Sequence, residues 1–455
     1  MTCTRPTLRV WLATGIAVAL AGCQATVPTS GVPAGLGQPM PVATIQQASG
    51  FADLAHTESQ PATAAPTIPN QPLSLNDLEQ LAQSHNPILQ RDQARIESAR
   101  GQALQAGLYP NPHFDTNNPE VINGKNSLFS VGVMQEIVVK GKLQLDTAAA
   151  EEAVRQTELT FDQNRLELLA NVRRQYYTVL VARRRLDVLT ELSEIVRSAA
   201  ETGKKLENAQ QASKIDTLLL VVDAQTVEAS HKKAETTLAA ERKQLAAIVG
   251  VDGIAMADIA GDLAARRPEF DEALLRRFAA SGSTLVRVAE AEIARRRLLL
   301  QRAEVEPYPN VTLGPALQFG AQPGNDQFWL TVTFPIPVWD RNQGNILSAV
   351  ANVRDAELSL RVLQNDQLAK VADTLGKYLS ARNLVDKYEA DILPNVRQAQ
   401  KLSAEGYAKG VFDFARYLQA QRTVVETNLT YLEALEALWA AAADLAGLLQ
   451  LERMP

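Results

Sequence analysis

Helix breakers are missing from most of this sequence. No proline occurs in residues 120–267, and Pro394 is the only proline between Pro337 and Pro455. Glycine is equally scarce in the first stretch, where Gly203 is alone within residues 142–249. Because proline and glycine are the residues least compatible with a helix interior, both stretches are predicted to form very long helices.

Other absences exclude whole classes of protein. Two cysteines are too few for a disulfide scaffold, and 46% hydrophobic residues are too many for a disordered chain. After the N-terminus there is no run of 18 uncharged apolar residues, which argues against a helical membrane protein. The formal net charge of −6 argues against a nucleic-acid partner.

Catalytic and metal-binding motifs are also missing. The sequence has no His-Glu-x-x-His, no glycine-rich phosphate loop and no Cys-x-x-Cys. Its four histidines are scattered, and His231 on a long helix reads as a packed or solvated residue. We therefore expect that the protein is not an enzyme and that it has neither a cofactor nor a dedicated metal site.

The N-terminus has the pattern of an export signal. Arg5 and Arg9 precede a short apolar segment that ends in Leu-Ala-Gly-Cys at Cys23. This ending looks like a bacterial lipoprotein box, which predicts a signal peptide over residues 1–22 and lipidation of Cys23. The alternative is an ordinary secretory signal. Residues 23–72, rich in Ala, Pro and Thr, are predicted to form a lipidated tether.

The rest of the sequence repeats itself. Tyr109-Pro110-Asn111 recurs as Tyr308-Pro309-Asn310, and other features follow in the same order. This predicts two structural copies, residues 73–258 and 259–455. Each copy has an amphipathic helix that ends at the Tyr-Pro-Asn signal, then two candidate strands, then a long proline-poor stretch.

The candidate strands alternate between apolar and small or polar residues. Residues 128–137, 311–320 and 327–336 show this period, and a weaker strand follows Pro112. Ten residues of such alternation are typical of a membrane β-barrel strand, but also of a half-buried soluble sheet. Four strands cannot close a membrane barrel, so a membrane location would require oligomerisation.

The long stretches exceed the size of a compact domain. Residues 142–202 contain neither proline nor glycine, and as one helix they would span about 90 Å. A compact chain of this length would measure about 55–60 Å across. The protein is therefore elongated, or a hidden connection breaks the segment. Apolar residues at 3–4 spacing in 220–248 and 425–439 predict coiled-coil packing.

This organisation resembles the TolC-like outer-membrane efflux protein family over about residues 73–450. The motifs that carry the resemblance include Tyr109-Pro110-Asn111-Pro112, Gly141-Lys142 and Arg267-Pro268. The run Pro335-Ile336-Pro337-Val338-Trp339-Asp340-Arg341-Asn342-Gln343-Gly344 is most similar to the heavy-metal, CzcC-like branch. The match is weaker where Val138-Val139-Lys140 replaces a glycine-rich step.

The resemblance implies a mainly α fold with a membrane β part. Long coiled-coil helices would form a periplasmic α-barrel, and four strands per chain would contribute to a twelve-stranded trimeric β-barrel. It also implies a homotrimer in the lipid of the outer membrane of a Gram-negative bacterium, extending into the periplasm. The implied partners are a periplasmic adaptor protein and an inner-membrane RND pump.

The resemblance also locates candidate functional residues. Hairpin tips at the periplasmic end are expected near 203–216 and 405–413. Asp216 and Asp413 are equivalent there, and six such carboxylates in a trimer would form a cation-attracting ring, with Lys214, Lys409 and Arg416 as candidate basic partners. The alternative is that these aspartates cap helices. Trp329 and Trp339 are candidates for an interfacial aromatic belt.

Three functions remain open on the sequence. The favoured one is a passive exit duct for heavy-metal cations in a tripartite efflux system. The second is a duct for drugs or other organic solutes. The third is a coiled-coil envelope lipoprotein that transports nothing.

Overall fold

The computed structural model describes residues 72–116, 128–210, 213–263, 267–320, 324, 326–409, 411–412 and 414–454. The predicted signal peptide, residues 1–22, and the predicted tether from Cys23 to residue 71 lie outside them. The helices are α1 (Leu75–His85), α2 (Pro87–Ala106), α3 (Lys142–Asn208), α4 (Lys214–Val249), α5 (Glu272–Arg277), α6 (Thr284–Val305), α7 (Gln343–Lys387), α8 (Leu393–Ala408) and α9 (Phe414–Leu448). The strands are β1 (His113–Asp115), β2 (Leu128–Ile137), β3 (Val311–Gly320) and β4 (Gln327–Thr333).

The long helices form where helix breakers are absent. α3 runs unbroken for 67 residues, about 100 Å, and passes through Gly203. The prediction of a very long helix is confirmed, and the alternative of a hidden connection is wrong. α4 and α9 contain the two predicted coiled-coil segments.

The first helix of each copy is interrupted, where the sequence predicted one continuous helix. Asn86 ends α1 and caps α2, and Pro87 occupies the first helical position, where its missing N–H costs no hydrogen bond. In the second copy, the π-helical turn Phe278–Gly282 and Ser283 separate α5 from α6. A second π-helical turn, Tyr388–Ile392, joins α7 to α8.

The four strands form one antiparallel sheet in the order β1-β2-β3-β4. β2 and β3 have the predicted bounds, while β4 ends at Thr333, before Pro335 and Pro337, which lack the N–H needed to continue a ladder. The register places Phe129, Leu317 and Phe328 on one face. The other face carries Ser130, Gly132, Met134, Glu136, Thr312, Gly314, Ala316, Gln318, Gln327, Trp329, Thr331 and Thr333.

The helices next to the sheet follow the same lateral order as the strands. α2 packs against α3, α3 against α6, and α6 against α7. α2 leads into β1 and α6 leads into β3, whereas α3 follows β2 and α7 follows β4. Away from the sheet, α3 packs against both α4 and α9. Helix α8 in turn packs on α9.

The main hydrophobic core surrounds the middle of α3. Trp439 of α9 is 2% exposed and stacks on Tyr177 of α3, with ring centroids 4.3 Å apart. Residues from α1, α2, α4, α5, α7 and the segment after α4 also belong to this core, and Leu73 forms a bridge with Ile259. Among the described residues, no helix combines the length and the apolarity needed to cross a membrane.

Candidate functional site

The first hairpin tip lies between α3 and α4. α3 ends at Asn208, and α4 begins at Lys214 with Ser213 as its N-cap, whose hydroxyl accepts a hydrogen bond from the Ile215 N–H at 3.3 Å. Asp216 lies in the first turn of α4, where the helix dipole favours a negative charge. The capping role belongs to Ser213, which leaves the exposed Asp216 carboxylate directed to solvent.

The second tip lies between α8 and α9, and Asp413 falls outside the described residues. Lys409 follows the last turn of α8 and is exposed. The guanidinium carbon of Arg416 lies 4.6 Å from the centroid of the Phe412 ring. The structure brings none of Lys214, Asp216 and Lys409 into an ion pair with another described residue.

Aromatic residues distinguish the second tip, a feature that sequence reasoning missed. Tyr407 and Tyr417 stack with centroids 5.3 Å apart, and the Phe412 ring lies against Gly406. A Cβ at position 406 would collide with that ring. The glycine in Gly406-Tyr407 is thus explained by the close approach of the ring.

An ion pair that sequence reasoning also missed joins the two hairpins. Arg422 of α9 pairs with Asp223 of α4, two to three turns from the hairpin ends, and both side chains are about one-third exposed. A small apolar cluster also packs α3 against α9 through Leu192, Val196, Ala199, Leu418 and Val425, and α4 packs against it through Leu220, Ala224 and Val227. The hairpins are therefore held near their tips by one charged and one apolar contact.

A second charge network surrounds the Arg267-Pro268 motif. Arg267 donates to Asp386 and Glu389, and the Tyr431 hydroxyl donates to Glu389 at 2.6 Å. Burial opposes ionisation of Glu389, but hydrogen bonds from Tyr431 and Arg267 outweigh it and lower the pKa of this carboxyl. The network fixes the π-helical turn Tyr388–Ile392 between α7 and α8.

Arg173 is a fully buried cation in the main core. It donates to Glu79 at 2.6 Å and to the backbone carbonyls of Leu451 and Glu452 at 2.8 and 2.7 Å. These partners satisfy the guanidinium that burial would otherwise leave unpaired. The segment after α9 is thereby attached to α1 and α3.

A small cavity of about 70 Å³ lies between α3, α4 and α9. Glu241 of α4, Glu436 of α9 and Arg185 of α3 line it. Burial, supported by the charges of Glu241 and Glu433 and opposed by that of Arg185, raises the pKa of Glu436. Both glutamates are polar residues within the two predicted coiled-coil segments, 220–248 and 425–439.

The two tryptophans predicted at a membrane interface lie in different settings. Trp329 pairs with Ala316 on the polar face of the sheet and is 51% exposed. Trp339 follows β4 and is 88% exposed. Their membership of an interfacial belt stays a prediction.

No group of three or more His, Cys, Asp or Glu side chains in the described ranges is arranged to hold a metal ion. His231 on α4 is within 3.0 Å of the Thr190 hydroxyl and 3.8 Å of Glu235.

The chain is similar to known proteins over most of its length. The family model described as outer membrane efflux protein matches residues 78–251 and 274–449. The cobalt-zinc-cadmium resistance protein CzcC of Cupriavidus metallidurans is 26% identical over 84% of this chain and 91% of its own length.

Solved structures share the fold. A membrane protein from Pseudomonas aeruginosa superposes with a TM-score of 0.71 at 20% identity, covering 82% of this chain and 92% of the other. The CmeC outer membrane channel of Campylobacter jejuni gives 0.69 at 15% identity, covering 84% and 87%.

Proposed function

Because the chain belongs to the outer membrane efflux protein family, we propose that it is the passive exit duct of a tripartite efflux system that exports heavy-metal cations. In this role it forms a homotrimer in outer-membrane lipid. It joins a periplasmic adaptor and an inner-membrane RND pump. The pump supplies the energy, and the duct catalyses no reaction.

The observation that carries the proposal is the shared lateral order of strands and helices. β1 and α2 form one open edge, and β4 and α7 form the other. Unpaired strand edges in lipid cost several kcal/mol per exposed backbone group. Pairing β4 of one chain with β1 of the next satisfies both edges and closes a ring, and three chains supply twelve strands.

The helical edges support the same ring. α7 has exposed apolar side chains on its outer side, among them Leu347, Leu358 and Val362, and Leu104 of α2 is 67% exposed. Exposed apolar side chains at the two edges of one helical layer are suited to contact between neighbouring chains. Trimer formation thus buries the exposed apolar side chains of the helices. It also supplies hydrogen-bond partners for the backbone groups at the strand edges.

The proposed cargo rests on the cobalt-zinc-cadmium resistance relative and on the Pro335–Gly344 run. A deletion strain, complemented with this chain, tests it. We expect the deletion to lower tolerance of zinc, cobalt or cadmium salts and the chain to restore it. Lost tolerance of antibiotics with unchanged metal tolerance would contradict the metal proposal and favour an organic cargo.

We also propose that the hairpin tips form the periplasmic aperture. Asp216 and Asp413 supply the carboxylates, and Lys214, Lys409 and Arg416 supply nearby positive charge. Neutralising both aspartates to asparagine is expected to make the channel leaky or less cation-selective in planar bilayers. Unchanged conductance and selectivity would contradict this role.

The N-terminal anchor and the two copies, 73–258 and 259–455, complete the proposal. Lipidation of Cys23 adds a second hold on the outer membrane. A Cys23→Ala chain is expected to stay in the membrane fraction because the barrel retains it. Release of that variant by mild extraction would favour a lipoprotein without a barrel.

A further inference from the structure

Strand pairing in the sheet repeats with the sequence. In the first copy, His113 of β1 is opposite Met134 of β2. In the second copy, Thr312 of β3 is opposite Thr333 of β4. Each member of the second pair stands 199 positions after its counterpart in the first, the same interval that separates the two Tyr-Pro-Asn signals. The two copies therefore correspond residue by residue in the sheet.

The contact between β2 and β3 joins the first copy to the second, and it includes the pair Gln135 and Leu313. If identical chains form a ring, β4 meets β1 of the next chain, and this contact again joins the two kinds of copy. Strands of one closed barrel share one tilt and one stagger. The register of β2 with β3 therefore predicts the register of β4 with β1 of the next chain.

The predicted contact brings two phenylalanines together. The residue 199 positions after Gln135 is Phe334, and the residue 199 positions before Leu313 is Phe114. In the single chain Phe114 is 71% exposed and Phe334 is 52% exposed. Both large side chains thus lie at the open edges of the sheet without the burial that a neighbouring strand would give them.

The two phenylalanines also belong to the same face of the sheet. Phe114 is opposite Val133, on the apolar face. Phe334 stands two positions after Val332, which is on that face as well. Because side chains of a strand alternate between faces, an extended backbone after β4 directs Phe334 to the side where Phe114 lies.

The adjoining helices show that the contact between chains has its own chemistry. Within the chain, Arg302 of α6 donates to Asp146 of α3 at 2.9 Å. The corresponding positions between chains are Ala103 of α2 and Asn345 of α7. Because neither side chain is charged, this ion pair has no equivalent there. The aromatic residues at the strand edges are then the large groups available to fix the contact.

We propose that Phe334 forms a cross-strand pair with Phe114 of the next chain, and that this pair sets the register in which neighbouring chains join. Aromatic residues opposed on one face of an antiparallel pair stabilise each other by direct ring contact. The inference rests on the proposed function, because only a ring of chains brings the two edges together.

Thiol crosslinking of the purified full-length protein tests the register. Phe114→Cys and Phe334→Cys are combined in one chain and treated with a crosslinker that spans about 5 Å, the Cβ separation of opposed residues. We expect covalent trimers on a heated denaturing gel. Phe114→Cys with Leu330→Cys is the matched control, because Leu330 lies on the same face about 13 Å earlier along the strand. It should give at least tenfold less product, and each single-cysteine variant should give none.

A second pair keeps both phenylalanines in place. Glu136 opposite Thr312 predicts that Pro335 is opposite His113 of the next chain. His113→Cys combined with Pro335→Cys should therefore crosslink too.

Crosslinking of the Leu330 control at or above the level of the Phe334 variant would overturn the register. So would an absence of crosslinks in both predicted pairs while the protein runs as a trimer on an unheated gel. In either case the trimer leaves the proposed function standing. If even the unaltered chain forms no trimer, both the proposed function and the register are overturned.

Discussion

Single residues set the geometry of the second hairpin tip. Gly406 provides the space that the Phe412 ring occupies, and the Arg416 guanidinium lies on that ring. By contrast, Gly376 in α7 has no atom within 4 Å of the place where its Cβ would be. An added methyl group would therefore meet the Phe412 ring at position 406 and open space at position 376.

Alanine substitutions should separate these two glycines. Gly376→Ala is expected to stabilise the chain by about 0.5–1 kcal/mol, because alanine favours the helix. Gly406→Ala is expected to destabilise it by about 1–3 kcal/mol, because the ring must move. Thermal melting of the purified protein measures both, and equal shifts for the two variants would contradict the packing seen at the tip.

Arg173 should be the most sensitive residue of the main core. Removing one partner of a buried ion pair costs about 3–5 kcal/mol, so Arg173→Met is expected to destabilise the chain by that amount. Arg173→Met combined with Glu79→Leu should recover part of the loss, because no unpaired charge remains. Melting of the two variants checks this, and additive losses would argue against the pairing.

Glu436 gives a pH-dependent prediction. Its pKa is raised, so its contribution to stability is complete below the ordinary glutamate pKa and is lost as pH rises through the raised value. Glu436→Gln should therefore raise the melting temperature at pH 7, where the wild-type carboxyl is ionised at a cost. It should change the melting temperature little near pH 4, which is about the ordinary pKa of glutamate. A larger gain at pH 4 than at pH 7 would contradict burial of this carboxyl.

At the scale of elements, the helices and strands were largely predictable because their signals are local. The absence of proline and glycine predicted α3, and period-2 alternation predicted β2 and β3 with their ends. The breaks between consecutive helices were harder to predict. The π-helical turn at 388–392 has no helix breaker within it, and the network around Arg267 that fixes it joins residues more than a hundred positions apart.

Lys140 shows why local signals are insufficient. The sequence departs from the family pattern here, where a glycine-rich step was expected. Lys140 nevertheless takes the left-handed conformation, with φ of 60°, next to Gly141 at 69°. Its ammonium lies 4.6 Å from the Tyr308 ring centroid, a contact with the second copy that no local pattern reveals.

The candidate site was predictable to a similar degree. The turns between α3 and α4 and between α8 and α9 both lie within the ranges that the family resemblance predicted, 203–216 and 405–413. The Asp223–Arg422 pair was not predicted, since nothing in either helix indicates which charges of the other will face it.

This pair should keep the two hairpins together. Arg422→Asp places two carboxylates in contact, and we expect a larger conductance in planar bilayers than for the unaltered chain. Exchanging the charges, Asp223→Arg with Arg422→Asp, should restore the original conductance. If the exchange leaves conductance as high as in the single variant, the pair does not hold the tips.

At the scale of the whole molecule, the outer side of α7 should determine assembly. Val362 is 59% exposed in the single chain. Val362→Glu would bury an unpaired charge between chains, and we expect at least tenfold weaker trimer formation, seen as loss of the trimer band on an unheated gel. Arg361→Glu at the adjacent exposed position is the control, and an equal loss there would contradict the edge contact.

The contact of Arg173 with residues 451 and 452 also constrains biogenesis. Its carbonyl partners lie 278 and 279 positions later in the chain, so the ribosome completes them long after the guanidinium has emerged. A core that folded without those residues would hold the cation without its full set of acceptors. A chain that stops short of residue 451 therefore leaves Glu79 as the one remaining acceptor of these three for the buried guanidinium.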